Sequence, residues 1–229
     1  MSQSGRTVPA GTWLIIPVYN EATVLAEVLQ HVLSTFDGVI CVDDGSSDAS
    51  VAVIRGTAAH LVSHPVNLGQ GAAIQTGIEY ALRQPGARYF VTFDSDGQHR
   101  VEDALSMLEL LAKDEVDIVF GSRFLDDRTK LPALKRAVLK LAVRYENATS
   151  GIRLSDAHNG LRAFNRKVAA ALALKQSGMG HASEIVGKVS AGGFRYAEVP
   201  VEILYTQYSR SKGQSVLNSV NIVFDLLFR

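Results

Sequence analysis

The chain has 229 residues, 47% of them hydrophobic and 20% charged; this suits one folded domain with a real core and excludes the disordered, collagen-like and disulfide-built classes. Basic and acidic residues number 23 each, so no excess of positive charge points to nucleic acid. The charge is uneven, however: residues 1–122 carry 6 basic against 15 acidic side chains and residues 123–167 carry 11 against 4, an acidic half able to hold a cation followed by a stretch able to face anions or to form solvated helix faces.

The opening MSQSGRTVPAGT is polar and unlike a secretory signal. TWLIIPV (12–18) predicts a buried strand, and residues 21–33 a helix with Val24, Leu25, Val28, Leu29 and Val32 on one face. GVICVD (38–43) predicts a second strand; Cys41 within it is the sole cysteine, which rules out an intrachain disulfide and suits a reducing compartment. A short helix over 48–55 would be capped by Ser46 or Ser47. HLVSH (60–64), RYFVTFD (88–94) and VDIVFG (116–121) predict three more strands, with helices over 71–82 and 101–111 between them. Such alternation predicts an α/β fold, a mostly parallel sheet covered by helices on both faces. Beyond Arg123 the rhythm changes. Residues 131–149 predict a basic amphipathic helix, 155–166 a polar loop entering another helix, 179–191 a helix, and 194–205 a strand interrupted at Pro200. The tail places Val216, Leu217, Val220, Val223, Phe224 and Leu227 at helical spacing. No apolar run approaches the length of a membrane span.

In an open sheet of this kind ligands bind at the carboxyl ends of the strands, where PVYNE, DDGSSD, PVNLGQG, DSDGQH and GSR fall. Asp94 and Asp96, one residue apart at a strand end, suit two hard oxygen ligands for Mg2+ or Mn2+, with Gln98 as a third, neutral oxygen; the other reading is a solvated turn. Asp43 and Asp44 can accept from a nucleobase N–H or a ribose hydroxyl, or serve the next helix N-terminus as Asp48 would. The glycines of Asn67-Leu68-Gly69-Gln70-Gly71 suit close approach of backbone to a ligand or simply a helix start, and the motif is neither a Walker loop nor a dinucleotide fingerprint. Arg123, Arg162, Arg210 and Lys212 stand in loop-like contexts, as a converging phosphate site or as separate surface charges.

In order and spacing, IIPVYNE, VDDGSSD, NLGQGAA, FDSDGQH, GSRF, D-x-x-x-G-x-R-x-F from Asp156, and SKG resemble a family 2 glycosyltransferase of the GT-A fold, more narrowly the polyprenyl-phosphate sugar synthases typified by dolichyl-phosphate mannose and glucose synthases. The resemblance runs from Trp13 to Gly213. It implies one GT-A domain, with 12–122 as the nucleotide-sugar-binding half, 123–213 as the acceptor half and 214–229 as an amphipathic helix. It further implies inverting transfer from a UDP- or GDP-linked sugar to polyprenyl phosphate, assisted by Mg2+ or Mn2+, at the cytoplasmic face of a membrane. Pro17, Tyr19, Glu21 and Asp44 match positions that hold base and ribose, with Asn67, Gly71, Asp94 and Ser95 in the same nucleotide-sugar set. Asp94, Asp96 and Gln98 match the metal site; Arg123, Arg162, Arg210 and Lys212 match positions near the acceptor phosphate. Asp96, Arg123 and Glu184 are the expected catalytic residues, although Glu184, near where other family members carry a base, also suits a supporting role.

Two departures stand out. His158-Asn159 precedes Gly160-Leu161-Arg162 where relatives usually carry Thr-Ser or Ser-Ser. The hydrophobic helices that many relatives carry after the catalytic domain do not follow; the tail is expected to lie on the membrane, to pack on its own domain, or to leave recruitment to a small membrane-protein partner. Two other readings compete: transfer to a sugar hydroxyl with Glu184 or Asp156 as base, and a non-catalytic nucleotide-binding scaffold, against which the intact Asp94, Asp96 and Gln98 count.

Overall fold

A computed structural model describes residues 7–129, 132–178 and 180–204. Arg210, Lys212 and the amphipathic tail of 214–229 lie outside the described residues.

The first half follows the predicted alternation: β1 (Thr12–Val18), α1 (Ala22–Leu33), β2 (Val39–Asp43), α2 (Ser50–Arg55), β3 (His60–Ser63), α3 (Gln70–Leu82), β4 (Tyr89–Thr92), α4 (Val101–Leu111) and β5 (Ile118–Ser122). Then come α5 (Ala133–Ser150), β6 (Arg162–Asn165), α6 (Arg166–Ala171), α7 (His181–Ala191) and β7 (Tyr196–Pro200). α1 buries Leu25, Val28, Leu29 and Val32, the face its periodicity predicts. α2 starts later than predicted, and neither Ser46 nor Ser47 caps it: Asp48 accepts from the Ser50 amide (2.9 Å) and, across the loop, from the Ala22 amide at the start of α1 (3.0 Å).

The seven strands form one sheet in the order β3-β2-β1-β4-β6-β5-β7. All neighbours are parallel except β6, which runs antiparallel to both β4 and β5. β6 corrects the expectation of a polar loop leading straight to a helix over 155–166. At four residues its apolar content, Ala163 and Phe164, is too short for periodicity to register, and it is held by pairing on both sides, Phe164 opposite Phe90 and Ile118.

Alternate strand residues feed two cores. Leu14, Ile16, Val91, Val119 and Ala163 pack under α1 and α4; Ile15, Ile40, Phe90, Ile118, Phe120 and Phe164 pack under α3, α6 and α7. β6 and β7 of the second half therefore complete the sheet begun by the first. Cys41 lies in this buried sheet, and burial pushes its thiol up to about 12, the state of a small inert hydrophobe. No helix among the described residues is long and apolar enough to cross a membrane.

Candidate active site

The carboxyl ends of β1, β2, β3, β4 and β5 lie at one sheet edge, and the reversed direction of β6 makes its leading loop, 155–161, arrive at the same edge. Arg162 sits opposite Thr92 and Phe120, beside the loops that carry Asp94 and Arg123.

At the end of β1, Pro17 is buried and its carbonyl accepts from Ser95 Oγ (2.9 Å), tying the first loop to the fourth. Tyr19 is exposed. Asn20 takes a positive φ of 54°, which Asn tolerates better than most residues, and its Oδ1 accepts from the Ser47 amide at 2.8 Å. Glu21, which precedes α1, donates its amide to Ser50 Oγ (3.0 Å).

Asp44 is buried, and its oxygens accept from the amides of Leu68 (2.9 Å) and Gly69 (2.7 Å) and lie 2.7 Å from His64 Nδ1. His64 Nε2 in turn meets Thr76 Oγ1 on α3 at 2.9 Å. The structure thus gives Asp44 a loop-fastening task. Its neighbour Asp43 carries a buried Oδ1 without a hydrogen-bond partner, an acceptor turned toward no donor of the chain.

The 67–71 loop passes from Asn67, exposed, to Gly71, buried. Gly69 has φ 98°, a conformation that side chains resist, and both glycines lie against the 176–178 backbone, the Gly71 amide donating to the Ser177 carbonyl (2.7 Å). Glu184 fastens that backing segment: its carboxylate accepts from the amides of Lys175 (2.8 Å) and Gln176 (2.8 Å), with Lys188 3.7 Å away. Its place is therefore under the loop that Gly69 and Gly71 line.

Asp94 is held from several directions. Gln70 Nε2 donates to its Oδ1 (3.0 Å), His99 Nε2 lies 2.8 Å from its Oδ2, and Gly160 packs so closely that any Cβ there would collide with the carboxylate. Burial alone would raise its pKa, but His99, with Arg162 and His181 behind it, holds Asp94 below the ordinary carboxylate range. Asp96 differs. Its Oδ1 accepts from the Gln98 amide (3.1 Å), and burial, Asp94 and Glu21 push its carboxyl up to about 6. Gln98 is buried with Nε2 unpartnered.

Among the described residues no three His, Cys, Asp or Glu side chains cluster as a metal-binding group. The fit to a divalent cation rests on two carboxylates and neutral oxygens. Asp96, whose negative charge is opposed by Asp94 and Glu21, offers hard oxygen donors of the kind a divalent cation takes, and Mg2+ and Mn2+ commonly complete their shells with water and substrate phosphate. The residues present fit such an ion, with Asp96 and Asp94 as charged ligands and Gln98 beside them.

On the far side, Arg123 pairs bidentately with buried Asp156, Nε to Oδ2 at 2.6 Å and Nη2 to Oδ1 at 2.8 Å, and its amide also donates to Oδ2 (3.1 Å). Burial would raise the Asp156 pKa, but Arg123 outweighs it and lowers it. Arg162 is 1% exposed, with Nε and Nη1 unpartnered; burial lowers its pKa to about 10, while Asp94 and Asp156 on its two sides keep it charged. His158 is half-buried, both its ring nitrogens are enclosed without a partner, and desolvation together with Arg123 and Arg162 brings it down to about 4, a neutral imidazole.

Arg123, Arg162, Asp94 and Asp96 thus gather at one edge, whereas Glu184 stands behind the 67–71 loop. His99 and Gln70, which are not among the site residues expected from the motifs, both reach the Asp94 carboxylate. The signal for His99 was its place five residues after Asp94, where a strand-end turn brings the ring back to the carboxylate.

The family model described as "Glycosyl transferase family 2" matches residues 13–172. The UDP-N-acetylglucosamine–dolichyl-phosphate N-acetylglucosaminyltransferase of Methanococcus voltae is 28% identical over 237 residues, spanning 94% of this chain and 94% of the relative. The polyprenol monophosphomannose synthase of Mycolicibacterium smegmatis is 28% identical over 224 residues, 92% of this chain and 82% of the relative. Among solved structures, glucosyl-3-phosphoglycerate synthase from Mycobacterium tuberculosis in complex with Mn2+, uridine diphosphate and phosphoglyceric acid superposes with a TM-score of 0.61 at 20% identity, covering 95% of this chain and 78% of that one. At that identity the likeness is one of fold.

Proposed function

The chain belongs to glycosyl transferase family 2, and on that premise we propose that it is an inverting, metal-dependent glycosyltransferase that moves a sugar from a nucleotide-sugar donor to a polyprenyl phosphate. The observation that carries the choice of acceptor is the state of the two carboxylates a hydroxyl acceptor would need as base. Glu184 is engaged by the Lys175 and Gln176 amides and Asp156 by Arg123. A phosphate acceptor is already ionised near neutral pH and needs no such base. The lipid-phosphate acceptors named for the archaeal and mycobacterial relatives support the same reading.

In this reading the loops after β1 and β2 hold the nucleoside, Tyr19 offering an exposed ring face, Glu21 standing at the start of α1 and Asp43 and Asp44 adding acidic oxygens. Asn67, Gly71 and Ser95 line the same donor loops. Asp94 and Asp96, with Gln98, would hold Mg2+ or Mn2+, which neutralises charge developing on the diphosphate. Asp94, already gripped by His99 and Gln70, is pre-set in position. Arg162 supplies positive charge beside Asp94 from within the sheet, and Arg123, fixed in orientation by Asp156, would meet the acceptor phosphate, a role for which Arg210 and Lys212 are proposed from their motif alone. The donor is UDP- or GDP-linked, and the protein works peripherally at the cytoplasmic face of the membrane that carries its acceptor.

Incubation with radiolabelled UDP- and GDP-sugars, undecaprenyl phosphate and Mn2+ or Mg2+, followed by organic extraction, tests this. Label in a lipid-linked product is expected. Label confined to oligosaccharide, with no lipid product from any donor, would overturn the lipid-phosphate acceptor in favour of a hydroxyl.

A further inference from the structure

α5 carries two apolar faces where a surface helix ordinarily has one. Its inner face, Leu139, Ala142 and Val143, is buried, and Glu146 on the same side accepts from Ser183 Oγ (2.6 Å). On the opposite side Leu134, Leu141 and Tyr145 are 63%, 59% and 40% exposed. Steps of seven and four residues put these three in one stripe along the helix. Arg136, Lys140 and Arg144, also exposed, form a second row with successive cations one turn apart, set about a third of a turn round the helix from that stripe. Glu146 is the sole acid of α5 and is turned inward, so the outer face carries no negative charge.

We propose that the outer face of α5 docks the protein on an anionic phospholipid bilayer. Apolar side chains at this spacing sink below the headgroups while the flanking cations stay level with the lipid phosphates, the arrangement by which amphipathic helices bind in the plane of a membrane. Charge complementarity selects this occupant: three cations on a helix surface without an exposed acid match a sheet of phosphates, whereas a second copy of the same surface would set cation against cation. The position of α5 fits the task. The chain leaves the sheet after Arg123, forms α5 and returns at Asp156, and the Arg123–Asp156 pair closes both ends of the excursion. A bilayer held against α5 therefore lies beside the Arg123 edge of the site. This assignment rests on the polyprenyl-phosphate reading for its purpose, and its test is independent of catalysis.

Flotation of the full chain with vesicles of phosphatidylcholine alone, and of phosphatidylcholine mixed with phosphatidylglycerol, reads it directly. Wild type should float with the mixed vesicles and not with the neutral ones. Arg136→Gln, Lys140→Gln and Arg144→Gln together should weaken partitioning about a hundredfold, and Leu134→Ser, Leu141→Ser and Tyr145→Ser together should abolish it. Melting temperature and transfer to a short, water-soluble prenyl phosphate should be unchanged in both variants. Variants that float like wild type would overturn the proposal. So would stripe variants that melt at lower temperature or lose a dimer with flotation unaltered, since the stripe would then pack within the chain or on a second copy. Absence of transfer to any prenyl phosphate, with flotation behaving as expected, would instead refute the lipid-acceptor reading and leave the docking surface standing.

Discussion

Two carboxylates one residue apart have opposite electrostatics at this site. Asp94 is stabilised as an anion by His99 and by the charge of Arg162, whereas Asp96 is opposed by burial, Asp94 and Glu21. A divalent cation held here would relieve that opposition, and Asp96 is where its charge would act most strongly. Asp96→Asn is expected to abolish turnover and to leave the melting temperature without metal intact, while the rise in melting temperature with Mn2+ and a nucleoside diphosphate disappears; wild-type activity would refute the ligand assignment. His99 acts through Asp94. His99→Ala should raise the Mn2+ concentration needed for half-maximal binding about 10- to 100-fold, read by calorimetry, with a smaller loss of kcat at saturating metal.

At the scale of elements, short polar ties hold the site loops to the sheet. The Glu184 carboxylate joins α7 to the 172–178 segment that backs Gly69 and Gly71. If that support is its task, Glu184→Gln should lower the melting temperature and change kcat severalfold at most with the pH profile unmoved; a general base would cost about 100- to 10,000-fold and shift the profile. Asp117 is a second tie, linking the start of β5 to Arg195 (3.1 Å) and Asn165 (2.9 Å). The Arg195 hydrogen bond holds its pKa down at about 2. A carboxylate depressed in the folded state binds its proton more readily when unfolded, so its contribution is complete above the ordinary range near 4 and is lost as pH falls toward 2. Asp117→Asn should therefore lower the urea midpoint at pH 7, and the difference from wild type should shrink as pH falls from 4 toward 2, where the wild-type carboxylate is about half protonated.

For the whole molecule, the Arg123–Asp156 pair is the junction between the sheet of the first half and the excursion through α5. Asp156 is fully buried and Arg123 nearly so. Truncation leaves a guanidinium without its partner, for which a cost of about 3–5 kcal/mol is typical. Asp156→Ala should show such a loss in urea denaturation, together with loss of transfer to the lipid phosphate. Arg162 is buried within electrostatic reach of both Asp94 and Asp156, so the same substitution also removes one of the two anions that act on it, and metal binding at Asp94 should respond together with the Arg123 side.

The sequence by itself determined the five-strand frame of the first half and the edge at which its polar loops meet. Period-2 and period-3.6 patterns are local, and a parallel α/β sheet sends every strand-end loop to the same side. It also marked Asp94, Asp96, Arg123 and Arg162, because their motifs keep a fixed order along the chain. Only the tertiary structure decided what each group touches. β6 is too short to announce itself, yet its antiparallel insertion buries Arg162 beside Asp94. Glu184 and Asp44 stand in motifs that suggest a catalytic or supporting group and a nucleotide contact, and no spacing announces that backbone amides distant from them donate to both carboxylates. His99 gained its partner through the fold of a single turn. Hydrogen bonds and burial depend on which segments the sheet brings within about 3 Å, and spacing along the chain does not encode that distance.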